Sequence, residues 1–451
     1  MTYRTPGVYV EEISTLPPSV AEVSTAIPAF LGCTEKGPAI ARVNTMLEFE
    51  QRFGGPDPQA FDVFVTDGDG TRTISEIKPV PKAPGDFDYR LYHAVRHYFQ
   101  NGGGGCWIVS VGGYGEAPAQ EDFLNGLARL EKEDEPTLIV LTDAVGLGAD
   151  DYFAVCQQAL AQCNDLGDRF AILDVPRSDR SLDEDVEAFR EGVGSEYLKY
   201  GAAYLPYLMT SISVSYDETS VTVLTENAAE DDPDTLDELE TKETALYQAI
   251  RAALVGRRIV LPPSAAVAGI YASVDRDRGV WKAPANVSVA GVVGPVEKIT
   301  HGEQEKLNID PTGGKSINAI RAFTGRGTLV WGARTLAGND NEWRYINVRR
   351  LFNLIEESVQ NATAFAVFEP NGATTWLKVK GMIESYLFGL WERGALAGST
   401  PEAAYFVNVG LNKTMTPRDV LEGRMIVEIG VAAVRPAEFI ILRFTHKLQE
   451  A

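Results

Sequence analysis

Along the first half of the chain, short apolar runs alternate with longer segments in which apolar positions recur every three or four residues. The runs at residues 29–32, 106–111, 138–141, 170–173 and 202–205 are strand-length and almost uniformly apolar, as strands covered on both faces must be. Between and beyond them, residues 45–53, 89–100, 120–131, 150–164, 182–192 and 241–254 carry helical spacing. This alternation predicts an α/β domain built on a mostly parallel, covered sheet. Two stretches interrupt it, and both read as surface insertions, near residues 57–88 and 217–243. The first is polar and rich in Pro and Gly. The second is the most acidic piece of the chain, centred on Glu230-Asp231-Asp232-Pro233-Asp234, and residues 230–237 are expected to be dispensable for folding.

The second half changes character and predicts an α+β module. An apolar run, Thr328-Leu329-Val330-Trp331, leads to a turn at residues 337–341, then to a short alternation through Trp343, Tyr345 and Asn347. Asn347 is placed to cap a helix whose buried face is Val348, Leu351, Phe352, Ile355, Val359 and Ala362. Residues 365–368 read as a short strand. A second amphipathic helix begins near Ala373, carries Trp376, Val379, Ile383, Leu387 and Leu390 on one side, and stops at Arg393-Gly394. Residues 405–409, 425–434 and 438–447 are strand-like, and Thr416-Pro417 opens a short helix.

The two ends are extended arms. Residues 5–13 alternate like a strand through Val8, Tyr9, Val10 and Ile13, and Leu16-Pro17-Pro18 then forbids a helix. A strand alone at a terminus must return to a distant sheet or lie along another chain. The expected domains are therefore an arm over 1–20, an α/β domain over 21–280, an α+β module over 281–436 and a second arm over 437–451.

Charge sharpens this division. Residues 1–275 hold 20 Lys+Arg against 45 Asp+Glu, whereas residues 276–451 hold 21 against 18. So acidic a first half argues against nucleic acid as a partner. The near-neutral second half reads as the contact side, and the outward Lys378 of the second helix, with Lys380 beside its buried stripe, is the candidate contact. Four cysteines in 451 residues show neither a disulfide framework nor metal-ligand spacing. No secretory h-region and no apolar run of about 20 residues is present, so cytoplasmic synthesis without membrane insertion is expected.

Candidate chemistry does not survive inspection of its spacing. Asp310-Pro311-Thr312-Gly313-Gly314-Lys315-Ser316 approaches a phosphate-binding loop, but the first required glycine falls on Ile309. The glycines at 102–105 lead into a strand instead of a helix N-terminus. His93 and His97 stand four apart but lack a third ligand, and read as helix-surface residues. The residues point to no enzyme, metal or cofactor. A doubly wound α/β enzyme, binding a ligand at strand C-termini, is the alternative reading.

Four ordered segments carry a resemblance. Val330-Trp331-Gly332-Ala333-Arg334-Thr335-Leu336, the stretch from Glu342 to Leu351, Val367-Phe368-Glu369-Pro370-Asn371 and Trp376 resemble the C-terminal module of contractile tail sheath proteins. Residues 260–290 and the opening Pro6-Gly7-Val8-Tyr9-Val10-Glu11 are similar to the same family. The resemblance implies a structural subunit of phage tails or phage-tail-like injection systems. Such subunits polymerise helically on a baseplate around an inner tube, then shorten to drive that tube through a membrane, without a nucleotide. It implies as partners further copies or related sheath subunits, the inner tube protein, and baseplate and terminator proteins. It also implies assembly in the bacterial cytoplasm and then a place in a virion or a released particle. On this reading Val8, Tyr9, Val10 and Ile13, with Phe439, Ile441, Arg443 and Thr445, are strand positions linking neighbouring subunits, and Lys378 and Lys380 face the tube.

Overall fold

The computed structural model describes residues 19–68, 71–81, 87–225, 235–439 and 441. The arm positions Val8, Tyr9, Val10, Ile13, Arg443 and Thr445 lie outside the described residues. Packing divides the chain into two compact units, one of residues 24–353 with the segment after 434, the other of residues 354–434 with the segment before 24. No described helix is long and apolar enough to cross a membrane.

In the larger unit the strands are β1 (Pro28–Cys33), β2 (Ile40–Val43), β3 (Phe61–Gly68), β4 (Thr71–Pro79), β5 (Cys106–Gly112), β6 (Leu138–Val140), β7 (Phe170–Asp174) and β8 (Gly201–Leu205). They continue with β9 (Leu208–Ser213), β10 (Val221–Thr225), β11 (Arg258–Leu261), β12 (Val287–Ser288), β13 (Val292–Pro295), β14 (Ile317–Phe323) and β15 (Gly327–Val330). The helices are α1 (Met46–Phe53), α2 (Leu91–Gln100), α3 (Gln120–Leu130), α4 (Ala149–Leu166), α5 (Leu182–Gly192), α6 (Leu236–Lys242), α7 (Thr244–Val255), α8 (Ser264–Arg278) and α9 (His301–Asn308), with α10 (Ile346–Thr363) beginning here.

Nine strands form the main sheet, in the order β12-β15-β14-β8-β7-β6-β1-β5-β2. The pairs from β14 across to β5 are parallel, and the flanking pairs are antiparallel. Alternate residues of each strand feed opposite faces. Ala29, Leu31, Ile139 and Leu173 pack with Phe123, Leu160 and Phe189 from α3, α4 and α5. Phe30, Ile108, Val140 and Ile172 pack with Val95, Tyr98, Ala266 and Ile270 from α2 and α8 on the other side. The sheet takes up β12, β14 and β15, so this unit runs on to residue 353, well past the expected division at 280.

The first expected surface excursion proves to be a hairpin. β3 and β4 pair antiparallel, β10 adds parallel to β3, and α6 and α7 cover the three-stranded sheet. The two sequence insertions thus build one small module around Phe61, Val63, Val65, Val223, Leu236, Leu239, Tyr247 and Ile250. β3 does alternate, buried then half-buried, but its outward residues and flanking Pro and Gly hid the period. Leu236 of the segment 230–237 is fully buried in this core, while residues 230–234 lie outside the described residues.

The smaller unit contains the rest of α10, α11 (Ala373–Glu392), α12 (Pro401–Ala404), β16 (Tyr405–Val409), α13 (Pro417–Leu421) and β17 (Val427–Val431). The buried face of α11 is Val379, Met382, Ile383, Tyr386, Leu387 and Leu390, much as its spacing predicts. Thr416 caps α13 by accepting from Asp419 N, while the Asp419 carboxylate accepts from Thr416 N at 2.9 Å. Two readings are corrected. Residues 365–368 are not a strand: Ala364–Ala366 make a 3-10 turn and Phe368 is fully exposed with φ 67°. An apolar run without a ladder partner has nothing to hold it extended. Asn347 lies inside α10, which starts at Ile346, and donates to Trp281 O at 2.9 Å instead of capping.

Candidate assembly surfaces

The places where chemistry could have resided are filled by the protein itself. In the loop at 310–315, the backbone N–H groups of Thr312, Gly313 and Lys315 all donate to the Asp310 carboxylate at 3.0–3.1 Å. The nest that would hold a phosphate holds an internal carboxylate, and Lys315 Nζ is spent on Arg190 O. At the C-terminal ends of the parallel strands, Asp143 accepts from Cys33 N at 2.7 Å and Arg90 N at 2.8 Å. Asp174, ending β7, accepts from Ser264 N at 2.8 Å and Oγ at 2.5 Å, and so closes the start of α8. Burial pushes both carboxyls up to about 7, partly offset by these donors.

His93 and His97 are buried, not surface residues. Helix α2 packs both on the sheet and against α8, which leaves it little solvent face. His97 Nε2 donates to Ala290 O at 3.0 Å, and burial lowers both imidazoles, His93 to about 4. All four cysteines are buried thiols whose pKa burial raises. Among the described residues, no group of three or more His, Cys, Asp or Glu could hold a metal ion.

What remains is surface. On α11, Lys378 is exposed beside Leu377, which is 70% exposed. Lys380 is half-buried and pairs with Glu384 at 3.4 Å. Trp376 is half-buried, and its Nε1 donates to Asn371 Oδ1 at 2.7 Å. The positive balance of the second half does not reside here. Residues 354–434 carry 6 Lys+Arg against 9 Asp+Glu, while residues 276–353 carry 12 against 7. Several of those cations, Arg334, Arg349 and Arg350, are buried and paired inside the larger unit. Exposed large apolar residues are dense in the smaller unit: Val367, Phe368, Leu377, Phe406 and Leu421 are all at least half exposed.

The described residues nearest both chain ends are held by ion pairs. Near the N-terminus, Arg393 grips the Glu22 carboxylate through Nη1 and Nη2, and Val23 N donates to Ser358 Oγ at 3.2 Å. Three residues on, Thr25 O accepts from Arg350, which forms a buried bidentate pair with Asp275. Near the C-terminus, Glu438 pairs with Arg334, and Phe439 and Ile441 beyond it are exposed. Separations of 75, 104 and 371 residues put these partners beyond any local pattern, so sequence reasoning missed all three pairs. Among the described residues β16 and β17 form a two-stranded sheet, with Tyr405 opposite Val431 and Val409 opposite Val427.

Residues 151–336 match the phage tail sheath protein central domain, and residues 338–447 match the phage tail sheath C-terminal domain. The PVC sheath complex of an extracellular contractile injection system, in its contracted state, aligns over 99% of this chain and 99% of its own, with 32% identity and a TM-score of 0.69. A chain of the anti-feeding prophage baseplate aligns over 99% of this chain and 100% of its own, with 32% identity and a TM-score of 0.67. The tail sheath protein of Vibrio phage KVP40 is 26% identical over 192 residues, 42% of this chain. That stretch is 27% of the phage protein, so the match spans about a quarter of that relative's length. With the two family domains in order and a likeness running the full length of solved sheath chains, this chain belongs to the contractile tail sheath family.

Proposed function

We propose that this chain is the repeating structural subunit of a contractile sheath. It polymerises helically around an inner tube on a baseplate, and its shortening drives the tube through a target membrane. The observation that carries this reading is the alignment over 99% of both chains with the sheath of an injection system in its contracted state. It assembles in the bacterial cytoplasm and then forms part of a virion or a released phage-tail-like particle.

Two contacts follow from the reading. The arm strands, Val8 to Ile13 and Phe439 to Thr445, add to a neighbour's sheet, with ladder bonds giving strength and alternate side chains giving register. The sheet of β16 and β17 suits the acceptor role, because among the described residues it has two strands, and a pair of strands this short is marginal alone. The helix α11 presents Lys378 to the tube. No nucleotide is consumed, because the energy lies in the assembled lattice.

Negative-stain microscopy of the purified chain tests the whole. Tubes of stacked rings are expected. A small closed oligomer that never forms tubes, alone or with tube and baseplate proteins, would refute the reading and favour a soluble α/β enzyme.

A further inference from the structure

Arg334 lies within the Val330–Leu336 motif, and nothing in the lattice reading gives it a task. Its side chain is 5% exposed, so its charge needs a partner of good geometry. That partner lies 104 residues away: Nε and Nη2 hold the two oxygens of Glu438 at 2.9 and 2.6 Å. The same carboxylate accepts from Asn308 Nδ2 at 2.8 Å and from Tyr345 OH at 3.2 Å. The remaining guanidinium nitrogen, Nη1, donates to Asn308 O at 3.1 Å. The backbone of Arg334 is fixed in turn, since Asn318 accepts from its N–H and donates to its carbonyl, both at 2.8 Å. Glu438 is thus seated by the end of α9, the exit of β15 and the stretch before α10. Directly beyond it, Phe439 and Ile441 are 67% and 77% exposed.

We propose that Arg334 is a positioning residue whose fork on Glu438 fixes the root of the C-terminal arm, so that every subunit launches that arm from one place and in one direction. This rests on the sheath reading. An arm that must find an acceptor on a neighbour loses less freedom on binding when its first residue is already placed. A helical lattice needs the same launch point in each copy. A bidentate guanidinium–carboxylate pair supplies direction as well as attraction, which a lysine cannot. It also puts the load on the larger unit: a pull on residues 439–451 meets Glu438 first, and through Arg334 the strand pair of β14 and β15. The carboxylate stays charged for this. Burial pushes Glu438 up, but Arg334, Asn308 and Tyr345 outweigh burial and hold it below its ordinary value.

The test uses the full chain with a nitroxide attached through Ile441→Cys; the four native thiols are buried, which keeps the label selective. Arg334→Lys, Arg334→Gln and Glu438→Gln are compared with the parent for subunit melting, label mobility and tube formation. In the parent the label is expected to be restricted and tubes to form. In Glu438→Gln and Arg334→Lys the label becomes mobile and tubes are lost at temperatures well below the subunit's own melting transition, where it is still folded. A merely structural pair would lower melting and leave tube formation by the surviving folded subunit intact. Should Arg334→Gln fail to fold, Glu438→Gln decides, because that side chain is 21% exposed against 5% for Arg334. An unchanged label, or normal tubes with a loosened root, overturns the proposal. A parent that forms no tubes would instead sink the sheath reading, and the label comparison would still decide whether the root is held.

Discussion

Removing one partner of the Arg350–Asp275 pair should destabilise the larger unit more than any other single side-chain truncation of an ion pair. The side chains are 3% and 5% exposed. Arg350 Nη1 and Nη2 reach Asp275 at 3.1 and 2.5 Å, and Thr25 Oγ1 adds a third donor at 2.6 Å. Asp275→Ala leaves the guanidinium with Thr25 O at 2.9 Å and the face of Tyr271 at 4.6 Å. A cation over a buried ring recovers up to about 2 kcal/mol, whereas breaking a buried pair costs about 3–5 kcal/mol. Because Tyr271 and Thr25 already hold Arg350 in the parent, their support does not offset the loss, and the expected cost is about 4 kcal/mol. At a urea slope of about 2 kcal/mol/M, the unfolding midpoint falls by about 2 M. Arg350→Leu combined with Asp275→Ala should recover much of the loss, because no buried charge is then left alone. A single-variant cost under about 1 kcal/mol, or a double variant worse than the sum of the singles, would refute the reasoning.

Charge reversal at Lys378 and Lys380 should weaken loading onto the tube in co-assembly without altering subunit melting; unchanged loading removes α11 from the interface. Gly269→Ala should destabilise although alanine favours helices by about 1 kcal/mol, because its Cβ would meet Tyr98 O at 2.6 Å and Asn101 Cβ at 2.8 Å where α8 crosses α2. Overpacking of this kind costs about 1–3 kcal/mol, so a rise in melting temperature would contradict the packing described. Asp143 and Asp174 hold their protons to about 7 in the folded chain, whereas unfolded aspartates release them near 4. Their contribution is therefore fully present below about pH 4 and is lost as pH rises through about 7. Melts between pH 5 and 8 should show stability falling with pH, and Asp143→Asn with Asp174→Asn should flatten that slope; a slope indifferent to both substitutions would show that other groups set it.

Some of this architecture needs no partner to be read. The runs at 29–32, 138–141 and 170–173 are apolar at every position, and only a sheet covered on both faces gives each residue somewhere dry to go. The stripe Val379, Ile383, Leu387 and Leu390 likewise sets the buried side of α11 whatever it packs against. The tail sheath motifs, too, were legible, because four segments in fixed order identify a family without coordinates. Other features depend on residues that only folding brings together. β3 and β10 are separated by some 150 residues and make one sheet; neither is a convincing strand until the other pairs with it. His93 looked exposed because the sequence does not show α8 lying across α2. The second-half charge looked like a contact surface because a count cannot distinguish Arg334, Arg349 and Arg350, which are buried and paired, from the exposed Lys378. The clamp between Arg334 and Glu438 joins positions 104 apart. Local periodicity reports which way a side chain faces, while the identity of what it meets there is a long-range property, decided only when the chain closes on itself.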